Sequence, residues 1–308
     1  MKPPWLTPEA LRKGDRVRIV APGFAFDRRV FAAGLAQLEA RGLRPFFDEG
    51  LFMRYRYLAG DDERRLAEMQ AAIDDEQTKA IWLARAGYGS TRLALRLQTD
   101  ALRHAPKWLI GFSDGTALHG LWARCGVSSI HGPNITTLYT WGEAALGDLW
   151  GWLQEGKGHT ISGRRFCGKG SVEGVLVGGN ISVLAAMVGT GQLPSMEGCI
   201  VVLEDIGERP YRLDRALTQL IQAKAFVGVQ AFVVGQLTGC EPPPRFAGEF
   251  SAVDVVGDIL SQFRVPVLVD APIGHEPSSF GVCFGTPAVL NVEEESLTIR
   301  SRETLSRS

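Results

Sequence analysis

Short apolar runs alternate with apolar residues at helical spacing along most of this chain, and that alternation limits the fold more than any other feature. Val17, Ile19 and Val20 end at Ala21-Pro22-Gly23, after which Phe31, Leu35 and Leu38 keep one helical face until Gly42 stops it. Phe46-Phe47 leads to a second helical stretch that Asp61 is placed to cap, with Leu66, Met69 and Ile73 on one face, and Ala80-Ile81-Trp82-Leu83 reads as the next strand. A glycine turn, Arg85-Ala86-Gly87-Tyr88-Gly89, precedes a helix predicted around Leu93, Leu95 and Leu97. The strand Trp108-Leu109-Ile110 and a helix through Leu118, Leu121 and Trp122 follow. Strands separated by helices in this way pair parallel, through right-handed crossovers, and build an α/β sheet.

At 308 residues the chain is longer than one small core usually organises, so about two domains are expected. The break is placed in a glycine-rich, basic stretch, Gly156-Lys157-Gly158-His159 through Gly168-Lys169-Gly170, which shows neither helical nor alternating apolar spacing. Residues 1–155 are read as the first domain, 156–171 as a linker and 172–308 as a smaller β/α domain. In that second part Val175-Leu176-Val177, residues 199–203, 231–237 and 265–269 read as strands. Helices follow Asn180, carry Leu213, Leu217, Leu220 and Ile221, and surround Val255, Val256 and Ile259. Residues 282–290 and 296–299 are predicted to close this domain as a hairpin.

Composition excludes several classes of function. With 33 basic against 34 acidic side chains the net charge is -1, and no run of like charge offers a footprint for nucleic acid. The N-terminus lacks the apolar core of about 7 to 15 residues that marks a secretory leader, and no apolar stretch reaches the roughly 20 residues of a membrane span. A cytoplasmic protein without membrane contact is expected. Cys125, Cys167, Cys199, Cys240 and Cys283 are scattered and form no C-x-x-C pair, so reduced and mostly buried thiols are expected rather than disulfides. The histidines show no H-E-x-x-H spacing, and His275-Glu276 runs into Pro277, so neither a metal nor another cofactor is implied.

Gly111-Phe112-Ser113-Asp114-Gly115 matches the G-x-S-x-G nucleophile elbow and lies between a predicted strand and helix, where that motif must lie. Such a turn presents the hydroxyl above the carboxyl ends of the strands and leaves the next N–H free for an oxyanion. The same serine would also serve simply as a helix cap. A serine nucleophile needs a histidine and that histidine an orienting carboxylate or amide. His104 and His119 belong to units flanking the elbow and His159 to the linker. His131 follows the short strand Ser128-Ser129-Ile130 but has no evident orienting partner in sequence. His275 sits in a loop past a predicted strand end, a position more often held by a solvated surface histidine. Glu204, Asp205 and Glu208 follow the apolar residues 200–203, where they would also suit the N-terminus of the next helix. Ser113, Glu204 and His275 are the trio that meets the requirements most economically.

In these residues the chain resembles the LD-carboxypeptidase family of serine peptidases, which includes the microcin C immunity hydrolases. The resemblance rests on Val20-Ala21-Pro22-Gly23, Arg85-Ala86-Gly87-Tyr88-Gly89-Ser90, the elbow with Thr116, Gly178-Gly179-Asn180, Leu203-Glu204-Asp205 with Glu208-Arg209-Pro210-Tyr211, and Gly274-His275-Glu276. It implies an N-terminal parallel-sheet α/β domain of flavodoxin or amidotransferase type, a smaller swivelling C-terminal domain, and a homodimer. It also implies a Ser113–His275–Glu204 triad that releases terminal D-alanine from murein tetrapeptide, at the L-centre of its diamino acid, in cytoplasmic peptidoglycan recycling. The family usually has glycine where this chain has Ala86, which leaves Gly87 as the second oxyanion donor beside the N–H of Asp114, and commonly another side chain at Gly115. The immunity hydrolases tend to carry a longer aromatic-bearing loop for an adenylate, with no counterpart here.

Arg85, Asn180 and Glu208 are the candidate substrate-binding residues. Arg85 would pair with a peptide carboxylate or instead form a surface salt bridge, and Asn180 would contact substrate or cap the helix at Ile181. Two rival classes share parts of the pattern. An α/β-hydrolase esterase has the same elbow but expects one continuous sheet and a His-Gly-Gly oxyanion segment. A binding protein of periplasmic type would enclose a similar cleft but calls for a secretory leader.

Overall fold

The computed structural model describes residues 5–246 and 248–302; residues 1–4 of the segment read for a leader lie outside the described residues. The first sheet has six strands, of which five run parallel: β1 Arg16–Val20, β2 Arg44–Phe46, β3 Thr78–Leu83, β4 Trp108–Gly111 and β5 Ser129–His131, in the order β2-β1-β3-β4-β5. The strongly apolar β3 and β4 sit in the middle because helices cover both faces. Ala80, Trp82 and Ile110 pack with Phe31 and Leu38 of the helix Arg28–Ala40, whereas Ile81, Leu83 and Leu109 pack with Met69, Ile73, Leu118 and Trp122 on the other side. The cap predicted at Asp61 forms, its carboxylate accepting from the Arg64 N–H at 2.8 Å.

The second sheet collects β6 His159–Ser162, β7 Arg164–Cys167, β8 Ser171–Asn180, β9 Cys199–Ile206, β10 Ala231–Thr238 and β11 Val267–Val269. After β12 Val282–Phe284 it is completed by β13 Pro287–Asn291 and β14 Ser296–Ile299. Strands β8 to β11 run parallel; β13, β14 and β6 follow on one side and β7 on the other, each antiparallel to its neighbour. The chain is thus an α/β protein with a parallel-strand sheet and a second, mixed sheet. Among the described residues no helix is long and apolar enough to cross a membrane.

Three expectations need correction. The glycine-rich stretch around 156–170 is not structureless: β6 and β7 form the two opposite edges of the eight-stranded sheet, joined by Gly163 alone, so the sheet curls until its edges meet. The run 282–290 is not one hairpin arm. Gly285, at φ +80°, breaks it, and β12 turns back to pair antiparallel with β5 in the first sheet while β13 pairs with β8 and β14. Finally, Leu93 to Leu97 form no α-helix; a single 3-10 turn, Ser90–Arg92, precedes them, with Leu93 and Leu97 buried and Leu95 exposed.

The two sheets meet where β8 ends. A side chain at Gly179 would drive a Cβ to 2.4 Å from the Thr116 hydroxyl, so the bare glycine lets β8 lie directly against the helix Thr116–Arg124 that follows Ser113. The next N–H, of Asn180, donates to that hydroxyl at 2.9 Å.

Candidate active site

Ser113 lies between β4 and the helix Thr116–Arg124, and the chain turns there through a left-handed backbone, φ +61°. A non-glycine residue held in that region costs about 1–3 kcal/mol and persists only where its surroundings fix it. One contact that does so comes from the next residue. Asp114 is buried and its carboxylate accepts from the Ser90 N–H at 2.7 Å, tying the 85–90 loop to the elbow. Gly87 in that loop has φ +91°, and a Cβ there would enter the Phe24 ring at 2.4 Å. The N–H groups of Asp114 and Gly87 find no acceptor among the described residues.

Burial pushes the Asp114 carboxyl up to about 6, against the hydrogen bonds from Ser90. A raised carboxyl binds its proton in the folded state at a pH where the unfolded chain has lost it, so this group's contribution falls as pH rises from about 4 through 6. We expect Asp114→Asn to remove that part of the pH dependence, on the order of 3 kcal/mol at most, from thermal unfolding followed between pH 4 and 8. An unchanged pH dependence in the variant would assign the loss to other groups.

His275 and Glu204 come from the second sheet. Glu204 is not past the strand, as the sequence suggests, but inside β9, paired in register with Asn180 of β8 and wholly buried. His275 stands in the loop after β11. Gln236 of β10 secures that loop, its N–H donating to the Ile273 carbonyl at 2.8 Å and its side-chain oxygen accepting from Ser279 at 2.7 Å. His275 Nδ1 lies 2.8 Å from Glu204 Oε2. Burial raises the Glu204 carboxyl, and the histidine pulls it back down. The loop then runs into β12, so His275 is held from both sheets.

Ser113 and His275 line one pocket of about 370 Å³, with Phe26, Arg85, Gly87 and Asn134 among its other walls. No hydrogen bond joins Ser113 to His275 among the described residues. The remaining candidates divide. Arg85 is exposed at the pocket, contacts only the Ala25 carbonyl at 3.4 Å, and has no carboxylate partner among the described residues. Asn180 spends its side chain internally: Oδ1 accepts from Val183 N–H at 3.1 Å as the helix cap, and Nδ2 donates to Asp205 at 2.9 Å. Asp205 in turn accepts from Ser182 and from its neighbour Ile206. Glu208 lies away from the pocket and faces Arg212 at 3.4 Å.

Sequence reasoning passed over two residues that the fold brings here. Asn134 lines the pocket while its Oδ1 is buried without a partner among the described residues. His131 ends β5 beside the elbow strand, paired with Gly111, and its Nε2 lies 3.8 Å from Glu204 Oε1. The adjacency of Ser128-Ser129-Ile130-His131 to the elbow strand was readable; the approach of a glutamate from another sheet was not.

A strained serine, a histidine and a buried carboxylate thus lie where the two sheets meet. Comparison with known proteins gives the family. Family models for the LD-carboxypeptidase N-terminal and C-terminal domains match residues 17–132 and 173–290. The murein tetrapeptide carboxypeptidase of Pseudomonas aeruginosa is 36% identical over 288 residues, 89% of this chain and 92% of that protein. The solved muramoyltetrapeptide carboxypeptidase of Oxalobacter formigenes superposes with a TM-score of 0.82 at 27% identity, covering 93% of this chain and 99% of its own. An MccF-like protein of Bacillus anthracis shares the fold, TM-score 0.84 at 22% identity, over 96% of this chain and 99% of that one. The chain belongs to the LD-carboxypeptidase family and is a hydrolase of the serine-type carboxypeptidase class.

Proposed function

We propose that Ser113, His275 and Glu204 act as a triad that releases the terminal D-alanine of a murein tetrapeptide, in cytoplasmic peptidoglycan recycling. One observation carries the reading: a serine in strained backbone from the first sheet shares a pocket with a histidine that is itself 2.8 Å from a buried carboxylate of the second. In this mechanism His275 takes the Ser113 proton as Oγ attacks the scissile carbonyl carbon. The oxyanion of the tetrahedral intermediate is held by the free N–H groups of Asp114 and Gly87. Collapse returns the proton from His275 to the leaving amine, and water then hydrolyses the acyl-enzyme by the same route. Glu204 orients the imidazole and stabilises its protonated form. The murein tetrapeptide activity named for the 36% identical Pseudomonas relative supports the substrate, and the family resemblance supports a homodimer.

Mass spectrometry of murein tetrapeptide after incubation tests the substrate: loss of one alanine is expected. An intact tetrapeptide together with cleavage of an aminoacyl-nucleotide would move the chain to the immunity-hydrolase branch.

Arg85 is proposed to pair with the substrate's terminal carboxylate, a reading supported by its exposed, carboxylate-free position at the pocket. Asn180 and Glu208, by their contacts, are left as supports of β9 and of the helix Pro210–Gln222. Arg85→Lys should lower kcat/KM for free tetrapeptide by about 10-fold or more, because a lysine cannot reproduce bidentate pairing. For a C-terminally amidated analogue the loss should be small and the melting temperature unchanged. Equal losses on both substrates would return Arg85 to a structural role.

A further inference from the structure

Resting on the triad reading, we infer that His131 is a positioning residue: it holds Glu204 from the side opposite His275, donating through Nε2–H to Oε1. Each oxygen of this fully buried carboxylate faces one histidine, Oε2 at 2.8 Å from His275 and Oε1 at 3.8 Å from His131. His131 is itself 1% exposed, and neither of its ring nitrogens has a hydrogen-bond partner among the described residues. A buried polar group left unpartnered is destabilising, which favours its retention for a task in another state of the protein. Closing a 3.8 Å gap needs only a small shift of one side chain on substrate binding, or one bridging water.

The surroundings fix the tautomer. Nε2 faces an acceptor and Nδ1 faces none, so the proton belongs on Nε2. Burial and the neighbouring histidines push His131 well below its usual range, so it stays uncharged at neutral pH. Phe112 and Phe284 pack against the ring, with centroids at 6.2 and 5.5 Å, and Phe112 also lies 4.7 Å from the His275 ring. The other polar groups around the cluster are already engaged. His119 is hydrogen-bonded to Ser129 and the Gly111 carbonyl, both at 2.8 Å, and burial pushes it down to about 4. Asn180 donates to Asp205 and also favours the charged form of Glu204 through its side chain, whereas Asp205 adds repulsion that raises Glu204. His131 is therefore placed, beside Asn180, to stabilise the charged form of Glu204 on the side away from His275.

The test uses the full-length protein and the rate at which a fluorophosphonate modifies Ser113, a readout independent of the natural substrate. His131→Phe keeps the ring and removes the donor. The rate should fall on the order of 10- to 100-fold, the scale for removing a group that orients a functional ligand. Its acid limb should move up by about one pH unit, because without the donor the Glu204–His275 couple takes up a proton more readily. His131→Gln, which restores an N–H donor that does not titrate, should recover most of both. A His131→Phe protein that is folded and unchanged in rate and acid limb would overturn the inference, while leaving the triad to stand or fall on Glu204→Gln. Should His131→Phe fail to fold, the ring nitrogens of the wild-type protein decide by nitrogen-15 NMR. An Nε2–H proton that shifts in Glu204→Gln supports the role, and an Nδ1–H tautomer overturns it.

Discussion

Replacing Ser113 with alanine should lower turnover by about 10⁴- to 10⁶-fold while leaving the fold intact, the scale on which triad nucleophiles fail when removed. The side chain makes no hydrogen bond among the described residues, and its neighbours are positioned by Asp114 and Ser90 rather than by its hydroxyl. The strain at φ +61° belongs to the backbone and is kept by alanine, which has the same Cβ. Ser113→Gly should therefore be as inactive as the alanine variant yet more stable, by about 1 kcal/mol or more, since glycine adopts positive φ freely. Steady-state turnover and thermal unfolding of the two variants separate chemistry from strain. More than a tenth of wild-type activity in either one would remove Ser113 from the mechanism.

The second large effect should come from the histidine–carboxylate couple, with the two members behaving differently. His275→Ala should match the serine variant at about 10⁶-fold, whereas Glu204→Gln should cost on the order of 10⁴-fold, because an orienting carboxylate stabilises the imidazolium without taking the proton. Stability should go the other way. Burial raises the Glu204 carboxyl, so the folded state holds its proton above the ordinary carboxylate range and loses stability as pH rises past that range. An amide has no such penalty, and Glu204→Gln should melt no lower than wild type at pH 8. Glu208→Gln should do little to either property, since among the described residues the Glu208 carboxylate pairs with Arg212. A larger activity loss in Glu208→Gln than in Glu204→Gln would transfer the orienting role to Glu208.

The first sheet was readable because its central strands are buried on both faces and so appear as unbroken apolar runs, such as Ile81-Trp82-Leu83 between Ala80 and the glycine turn. The elbow was readable for the same reason, since Trp108-Leu109-Ile110 marks the strand it must follow. What sequence could not supply is pairing between distant segments. β6 and β7 carry few apolar residues, and they are strands because β14 and β11 offer edges to pair with. Val282-Cys283-Phe284 looks like part of a hairpin, and only the antiparallel pairing with β5 assigns it to the other sheet. Glu204 follows four apolar residues as if the strand had ended. β9 in fact continues because Asn180 and Leu237 pair with Glu204 and Asp205. His131 shows no partner in the sequence because Glu204 lies on a different sheet altogether.

The most direct test of the central claim is peptide mapping by mass spectrometry after incubation with a fluorophosphonate. The account predicts a single adduct, on the peptide that contains Ser113, absent from Ser113→Ala and slowed by orders of magnitude in His275→Ala. No adduct, or one on another residue with Ser113 unmodified, would contradict it.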